Sequence, residues 1–179
     1  MALRYVALLR GINVGQARRV GMAELRAFLE ELGYRDVRTV LSSGNALLTA
    51  PGLSPDQAAA HIQQAMAERL GFETRVIVLT SAEVAAAVED NPLLDVAADR
   101  SRLYLAVMAD PANRVQLRPL LAQNWAPEEL AVGARVAYLW CPQGVIASRL
   151  PAAVDRALGD AVTLRSWNTM VKLATAAAT

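Results

Sequence analysis

The order in which short apolar runs and amphipathic stretches alternate is the feature that most restricts the fold. Residues 5–9 (YVALL) form an apolar run, within a predicted strand 3–9, of the kind found in strands buried on both faces. The pattern then predicts a helix over 22–32, strands over 37–41 and 46–49, a helix over 55–70 and a strand over 75–79. Strand, helix, two strands, helix, strand is the βαββαβ order of a ferredoxin-like unit.

The second half of the chain repeats this order without repeating the sequence. Predicted elements are a strand over 103–108, a helix over 110–121 that Pro119 kinks or shortens, strands over 129–132 and 135–140, a helix over 150–158, a strand over 161–164 and a last helix over 167–177. We therefore predict an α+β protein of two ferredoxin-like (βαββαβ) subdomains packed into one compact protein. Residues 1–80 form the first subdomain, residues 81–101 a connecting helix and linker, and residues 102–179 the second subdomain with a C-terminal helix.

Capping motifs fix where several helices begin and end. Ser54 before a proline, with Gln57 three residues later, has the pattern of a capping box, and Gly71 is a helix terminator. Thr80 and Glu83 open a further helix by the same logic. These signals support the predicted order of elements independently of the apolar pattern.

Composition excludes several classes of protein. Hydrophobic residues make up 54% of the chain and charged residues 20%, which is sufficient for a core. The 18 basic and 17 acidic residues nearly cancel, so no strong overall field attracts nucleic acid or a membrane. One cysteine, Cys141, and one histidine, His61, exclude an intrachain disulfide and a His-based zinc site, so we expect no metal and no cofactor. The cysteine usage and the lack of a long apolar run predict a cytoplasmic protein with no membrane partner.

The loop after the first strand is a candidate anion site. Gly11 and Gly15 precede a helix, and Arg10, Arg18 and Arg19 lie in or beside the loop. Backbone N–H groups at such a turn, the helix N-terminus and arginine side chains all favour a phosphate or carboxylate. The loop matches neither G-x-G-x-x-G nor a P-loop, so a solvated loop with glycines for turn geometry is the alternative interpretation.

A second polar loop, residues 42–45 (SSGN), suits a hairpin turn. A serine such as Ser43 would need a base within hydrogen-bond reach to act as a nucleophile, and the sole histidine, His61, is predicted on a helix. Adjacent acidic pairs are typical of solvated surface, and Cys141 is typical of a small buried apolar residue. The sequence therefore favours a turn at residues 42–45.

The C-terminal stretch 165–173 (RSWNTMVKL) allows two interpretations. In the first, Trp167 fills a gap between the halves and the helix only docks. In the second, Trp167, Asn168 and Lys172 face a ligand and provide stacking, hydrogen bonding and charge. An RNA-binding sheet of the RRM type is not indicated, because aromatic residues are only 5% and its signature is absent.

Several motifs resemble a bacterial family known as domain of unknown function 1697. The matching stretches are residues 5–15 (YVALLRGINVG), 22–25 (MAEL), 37–39 (VRT), 43–45 (SGN), Gly144, 148–150 (SRL), Arg165, 167–169 (WNT) and 172–173 (KL). The chain departs from the family pattern at Gln16, Arg19, Gly21 and Ser42, where Gly, Lys, Pro and Gln are usual. The resemblance implies a paired α+β architecture and no established activity. Its recurring polar residues are Arg10, Asn13, Ser43, Asn45, Ser148, Arg165, Asn168 and Lys172.

Three functional hypotheses follow. The first is a phosphate-bearing ligand (a nucleotide, a phosphorylated metabolite or a nucleic-acid backbone) bound in a cleft between the two halves. Its anion-binding residues are Arg10, Asn13, Arg19, Ser43, Asn45, Arg165, Asn168 and Lys172. The second is a small transferase or hydrolase that uses Ser43 or Lys172, and the third is a structural or interaction protein without a small-molecule site. The sequence leaves open whether any reaction is catalysed, and the oligomeric state.

Overall fold

Each half of the chain forms a four-stranded antiparallel sheet with helices packed against one face. A computed structural model describes residues 3–179. These residues divide into two units: residues 3–84 with Lys172–Thr179 form the first, and Ala85–Val171 form the second.

The first unit contains the first βαββαβ set. Its elements are β1 (Arg4–Leu9), α1 (Met22–Glu31), β2 (Arg35–Thr39), β3 (Asn45–Thr49), α2 (Pro55–Leu70), β4 (Val76–Thr80) and the start of α3 (Ser81–Glu89). The strands lie in the order β2-β3-β1-β4, and every neighbouring pair is antiparallel. This is the ferredoxin-like strand order, with the first strand in the middle.

Alternate residues of the central strand build the core of the first unit. Tyr5, Ala7 and Leu9 of β1 pack with the buried faces of α1 and α2. Side chains that alternate along a strand share a face, which explains why one strand can present this set to both helices. The other members from the helices are Leu25, Phe28, Leu29, Ala58, Ile62, Ala65 and Met66.

The second unit repeats the arrangement. After α3 come β5 (Leu103–Met108), a 3-10 helix (Pro111–Leu117), α4 (Arg118–Leu121), β6 (Glu129–Val132), β7 (Val136–Trp140), α5 (Leu150–Leu158), β8 (Val162–Ser166) and α6 (Trp167–Ala178). The strands lie in the order β6-β7-β5-β8, again all antiparallel. The predicted α+β fold with two ferredoxin-like subdomains is confirmed.

The predicted helix over 110–121 is helical from Pro111 to Leu121, but it changes type along its length. Asp110 does cap it, through a capping box with Asn113, but the first seven residues form a 3-10 helix and only Arg118–Leu121 is α-helical. Proline has no N–H to donate, and its ring clashes with the carbonyl four residues earlier in an α-helix. Pro119 is therefore tolerated at the start of α4 and not inside a longer helix.

The capping motifs around α2 and α3 are confirmed. Ser54 and Gln57 form the full reciprocal capping box, and Gly71 ends α2 in the left-handed conformation. The Thr80 backbone N–H donates to the Glu83 carboxylate, and the Glu83 N–H donates to the Thr80 hydroxyl. The predicted bounds of α2, residues 55–70, accordingly match the structure.

Candidate functional site

Three loops of the first unit meet at one end of its sheet. In this antiparallel sheet, β1 ends where β3 and β4 begin, so the segments 10–21, 40–44 and 71–75 are neighbours. Main-chain bonds tie them together: the Leu9 N–H donates to the Gly44 carbonyl, and the Arg10 N–H donates to the Arg75 carbonyl, each at 2.9 Å. We call segments 10–21 and 40–44, together with Phe72, the cationic loop surface.

Asn13 joins two of these loops through its side-chain amide. Its Nδ2 donates to the carbonyls of Val20 and Ser42, each at 2.8 Å, and its Oδ1 accepts the Val20 N–H at 2.8 Å. Its own N–H donates to the Arg18 carbonyl at 3.1 Å. Asn13 therefore closes loop 10–21 and fixes it against loop 40–44.

Six residues in these two loops adopt left-handed backbone conformations. They are Gly11, Asn13, Gly15, Arg18, Leu41 and Gly44. At Arg18 (φ 53°) and Leu41 (φ 59°) this conformation is unfavourable, because the side chain crowds the backbone. Each such residue costs about 1–2 kcal/mol, and outliers of this kind concentrate at functional sites.

The Arg18 side chain is held in place although it is exposed. Its guanidinium carbon lies 5.7 Å from the centre of the Phe72 ring, which is cation–π distance. Its Nη1 is 3.8 Å from the position that a Cβ on Gly11 would occupy. The guanidinium thus lies over Phe72 and near the backbone at Gly11, and Arg18 presents its charge from a defined position.

The two loops 10–21 and 40–44 carry positive charge and no carboxylate of their own, while Glu73 lies in the adjoining segment 71–75 and Glu24 in the first turn of α1. The first 23 residues contain Arg4, Arg10, Arg18 and Arg19 and no Asp or Glu, and segment 40–44 contains none either. Among residues 3–179, Arg18 and Arg19 make no ion pair. Helix α1 begins after Gly21, which offers no side chain to cap its first N–H groups. The exposed arginines and this helix N-terminus favour an anion.

Ser43 and Asn45 support the second loop. Asn45 is completely buried, and its Nδ2 donates to the Val40 carbonyl and to the Ser43 Oγ, each at 2.9 Å. The side chain of Asn45 has no exposed surface with which to contact a ligand. His61 is on α2, where its Nδ1 lies 2.9 Å from the Tyr34 hydroxyl. The geometry therefore gives no support to a Ser43–His61 pair.

The remaining predicted site residues lie outside these loops. Arg165, on β8 of the second unit, is buried, and its Nη1 donates to the Thr163 hydroxyl and the Leu164 carbonyl. Burial lowers the pKa of Arg165 to about 10. Asn168 and Lys172 are exposed one turn apart on α6, and Lys172 belongs to the first unit.

Ser148, a recurring residue of the resemblance, helps to start a helix. Its Oγ donates to the Glu128 carboxylate at 2.8 Å and accepts the Leu150 N–H at 3.1 Å. The same carboxylate accepts the Arg149 N–H. Ser148 and Glu128 thus satisfy N–H groups at the beginning of α5, which is a structural role.

Two further searches of the described residues gave negative results. Within residues 3–179, no three His, Cys, Asp or Glu side chains are grouped so that they could hold a metal ion. No helix in that range combines the length and the apolar character that crossing a bilayer requires.

Comparison with known proteins places the chain in a family. The model of a family described as "Protein of unknown function (DUF1697)" matches residues 3–138, well over half of the sequence. The chain belongs to this family. No curated protein matches the chain. Among solved structures, the DUF1697 chain is similar to the conserved bacterial protein SP0830 from Streptococcus pneumoniae, at 21% identity and a TM-score of 0.75, with 99% of each chain covered. At this identity the likeness supports the fold alone.

The structure brings together five of the eight residues predicted to bind an anion: Arg10, Asn13, Arg19, Ser43 and Asn45. That set lacked two residues of the cationic loop surface, Arg18 and Phe72. Arg18 was recognised only as part of the local charge, because its contact with Phe72 joins residues 54 positions apart in the sequence. The signal for Arg18 was a pair of arginines that lies between two glycines and precedes a helix. Nothing in the sequence indicated Phe72.

Proposed function

We propose that this DUF1697 protein binds a phosphate-bearing ligand at the cationic loop surface of its first unit. The observation that carries the proposal is Arg18, an exposed arginine in a left-handed conformation, seated on Phe72 and without an ion-pair partner among the described residues. Bidentate, charge-assisted bonds from arginine are the strongest contacts that a protein side chain offers to a phosphate.

Preorganisation supports this proposal. Left-handed Arg18 and Leu41 cost free energy in folding, yet both side chains remain exposed and contribute no buried core. The three hydrogen bonds of the Asn13 amide hold the two loops in this arrangement. A surface that is held rigid before binding loses less conformational entropy when a ligand arrives.

The roles of the individual residues follow from their positions. Arg18 and Arg19 supply charge, with the N–H groups at the start of α1 as additional donors. Asn13, Ser43 and Asn45 position the loops rather than contacting the ligand. Arg165 is committed to hydrogen bonds within the second sheet, and we leave it out of this site.

We also propose a cytoplasmic location. The support is the single cysteine, Cys141, which is buried and free, as expected for a protein that matures without disulfides.

Isothermal titration with inorganic pyrophosphate tests the proposed function. We expect saturable binding that Arg18→Ala weakens about tenfold, the effect of losing one charge-assisted contact. Arg35→Ala is the matched control, because Arg35 is an exposed arginine of the same unit at the start of β2, the opposite end of the sheet. Tryptophan fluorescence is a poor readout, since all three tryptophans, Trp125, Trp140 and Trp167, lie in the second unit.

The absence of pyrophosphate binding at millimolar concentration would end the proposal. Equal losses from Arg18→Ala and Arg35→Ala would also end it, because the binding would then not be located at the loops. Backbone amide shifts of Gly11, Gly15 and Gly44 in NMR spectra provide an independent test of location, since all three glycines lie in the cationic loop surface.

A further inference from the structure

The cationic loop surface carries exposed apolar side chains as well as charge. Val14 is 71% exposed and Leu41 is 48% exposed. Val14 follows Asn13 and Leu41 precedes Ser42, and the Asn13 amide is bonded to the Ser42 carbonyl, so the two apolar residues are on adjoining loop segments. Inorganic phosphate makes no use of such side chains.

Arg18 adds a flat surface to these apolar contacts. The guanidinium is planar, its carbon lies 5.7 Å from the centre of the Phe72 ring, and Arg18 as a whole remains exposed. Proteins stack the bases of unpaired nucleotides on aromatic rings and on arginine guanidinium planes, and they also hold flipped bases between apolar side chains. A lysine in the same position would offer equal charge and no plane.

We infer that the ligand of the cationic loop surface is a nucleotide, whose base stacks on Arg18 and contacts Val14 and Leu41 while its phosphate is held by Arg18 and Arg19. This inference rests on the proposed function and narrows its ligand class. The same chemistry is offered by a free mononucleotide and by an unpaired stretch of RNA or DNA.

Val14 and Leu41 account for a feature that phosphate binding leaves unexplained. Leu41 adopts a left-handed conformation, yet 48% of its surface remains exposed in the free protein. Contact with a base would cover the apolar surface of both side chains, and burial of apolar surface is favourable. The charge of this surface thus suits the phosphate of a nucleotide, and its guanidinium plane and apolar side chains suit the base.

The experiment compares ligands that share a phosphate and differ in the base. Titrations use pyrophosphate, ribose 5-phosphate, adenosine and uridine monophosphates, a five-nucleotide single-stranded RNA and a glutamate-rich peptide. We expect the mononucleotides to bind about tenfold more tightly than ribose 5-phosphate, which is the scale of one stacking contact. Tighter binding of the RNA than of either mononucleotide identifies the single strand as the source of the base.

Two substitutions separate stacking from charge. Arg18→Lys keeps the positive charge and removes the guanidinium plane, so we expect the affinities for pyrophosphate and ribose 5-phosphate to fall by similar factors and the preference for nucleotides over ribose 5-phosphate to fall severalfold in addition. Val14→Ser with Leu41→Ser is expected to lower nucleotide affinity and leave pyrophosphate affinity unchanged. Arg35→Lys is the matched control and should change neither. Thermal melting of every variant establishes that the first unit is folded.

The outcomes distinguish this inference from the proposed function. Binding of pyrophosphate and ribose 5-phosphate as tightly as of nucleotides overturns the inference and leaves the proposed function standing. A nucleotide preference that Arg18→Lys does not alter also overturns it, as does binding of the acidic peptide alone. Failure of every phosphate compound to bind overturns both.

Discussion

At the scale of single residues, Asn13 decides whether the two loops keep their arrangement. Its amide makes three hydrogen bonds of 2.8 Å, and its φ of 55° is one that asparagine tolerates better than alanine. We predict that Asn13→Ala lowers the free energy of unfolding by about 2–4 kcal/mol, because bonds of about 1 kcal/mol each are lost and backbone strain is added. Urea denaturation measures this change.

Asn13→Gly separates the two contributions. Glycine accepts the left-handed conformation freely, so this variant loses the hydrogen bonds without adding strain. It should fall between the wild type and Asn13→Ala in stability. An Asn13→Ala variant as stable as the wild type would show that the Asn13 hydrogen bonds contribute nothing to the free energy of unfolding.

Gly44 illustrates how close the loops approach one another. A Cβ at this position would lie 2.8 Å from Ile12 Cγ1 and Cδ1 and 3.2 Å from Leu9 Cβ. Gly44→Ala should therefore destabilise the protein by about 2–4 kcal/mol, from overpacking and left-handed strain together. Gly15→Ala is the control for strain alone, since Gly15 also has a positive φ and nothing lies within 4 Å of its added Cβ. Equal melting temperatures for the two variants would contradict the steric argument.

Tyr34 makes stability depend on pH in the alkaline range. Burial raises its pKa from 10.0 to about 12, and its hydroxyl lies against the Ala58 carbonyl and His61. Above pH 10 the unfolded state releases this proton while the folded state retains it. The contribution is therefore fully present below pH 10 and is lost as pH rises towards about 12.

The prediction is that Tyr34→Phe makes the loss of stability between about pH 10 and 12 shallower, as measured by urea denaturation across that range. Tyr138, whose pKa is raised to about 12 mainly by burial, contributes in the same direction. Arg165, whose pKa burial lowers to about 10, contributes in the opposite direction. The comparison must therefore be between variant and wild type, and identical pH slopes for the two would refute the assignment to Tyr34.

At the scale of elements, the sequence predicted helix bounds where a side chain hydrogen-bonds to residues close to it along the chain. Ser54 and Gln57 fixed the start of α2, and Gly71 fixed its end. The order of strands followed from apolar runs. The sequence predicted a helix over 110–121 but not the 3-10 type of Pro111–Leu117, because the capping residues at its start are the same as those of an α-helix.

The arrangement of the cationic loop surface was harder to predict from the sequence, for a physical reason. Its decisive contacts, Arg18 with Phe72 and Asn13 with Ser42, join loops that are distant along the chain. Loop conformation depends on such contacts, and no periodic pattern encodes them. The sequence predicted an anion site at residues 10–19, whereas the geometry within that site needed the structure.

The N-terminus of α1 supplies an element-scale test. Gly21 has extended backbone angles that any residue adopts, and the nearest atom to an added Cβ is 4.0 Å away. Gly21→Asp should leave stability unchanged or raise it by up to about 1 kcal/mol, through capping and the helix dipole. The same carboxylate should occupy the donors and repel an anion, lowering pyrophosphate affinity by about tenfold or more.

Gly21→Ser is the uncharged control for that prediction. Serine also caps the helix but adds no charge, so pyrophosphate affinity should fall less than with Gly21→Asp. Calorimetric titration compares the two variants. If both lower affinity equally, capping alone explains the effect, and if neither does, the α1 N-terminus takes no part in binding.

At the scale of the whole molecule, net charge conceals an uneven distribution. The chain has 18 basic and 17 acidic residues, yet four of the basic residues and none of the acidic ones lie in the first 23 positions. The remaining residues therefore carry 14 basic and 17 acidic side chains, an acidic balance. The fold places three of the four early arginines in or beside one loop surface, so a nearly neutral protein acquires a local positive field.

Charge reversal at two positions distinguishes a local field from a global one. Arg19→Glu and Arg35→Glu each lower the formal net charge from +1 by two, but Arg19 lies in the cationic loop surface and Arg35 at the opposite end of the sheet. A five-residue strand separates the ends by about 13 Å, more than the Debye length of about 8 Å at physiological salt.

We predict that Arg19→Glu weakens pyrophosphate binding at least tenfold at about 0.15 M salt, while Arg35→Glu changes it less than twofold. At about 0.01 M salt the Debye length grows to about 30 Å, more than the separation of the two ends, so the Arg35→Glu effect should grow. Equal effects of the two substitutions at 0.15 M salt would mean that net charge, and not a built site, attracts the anion.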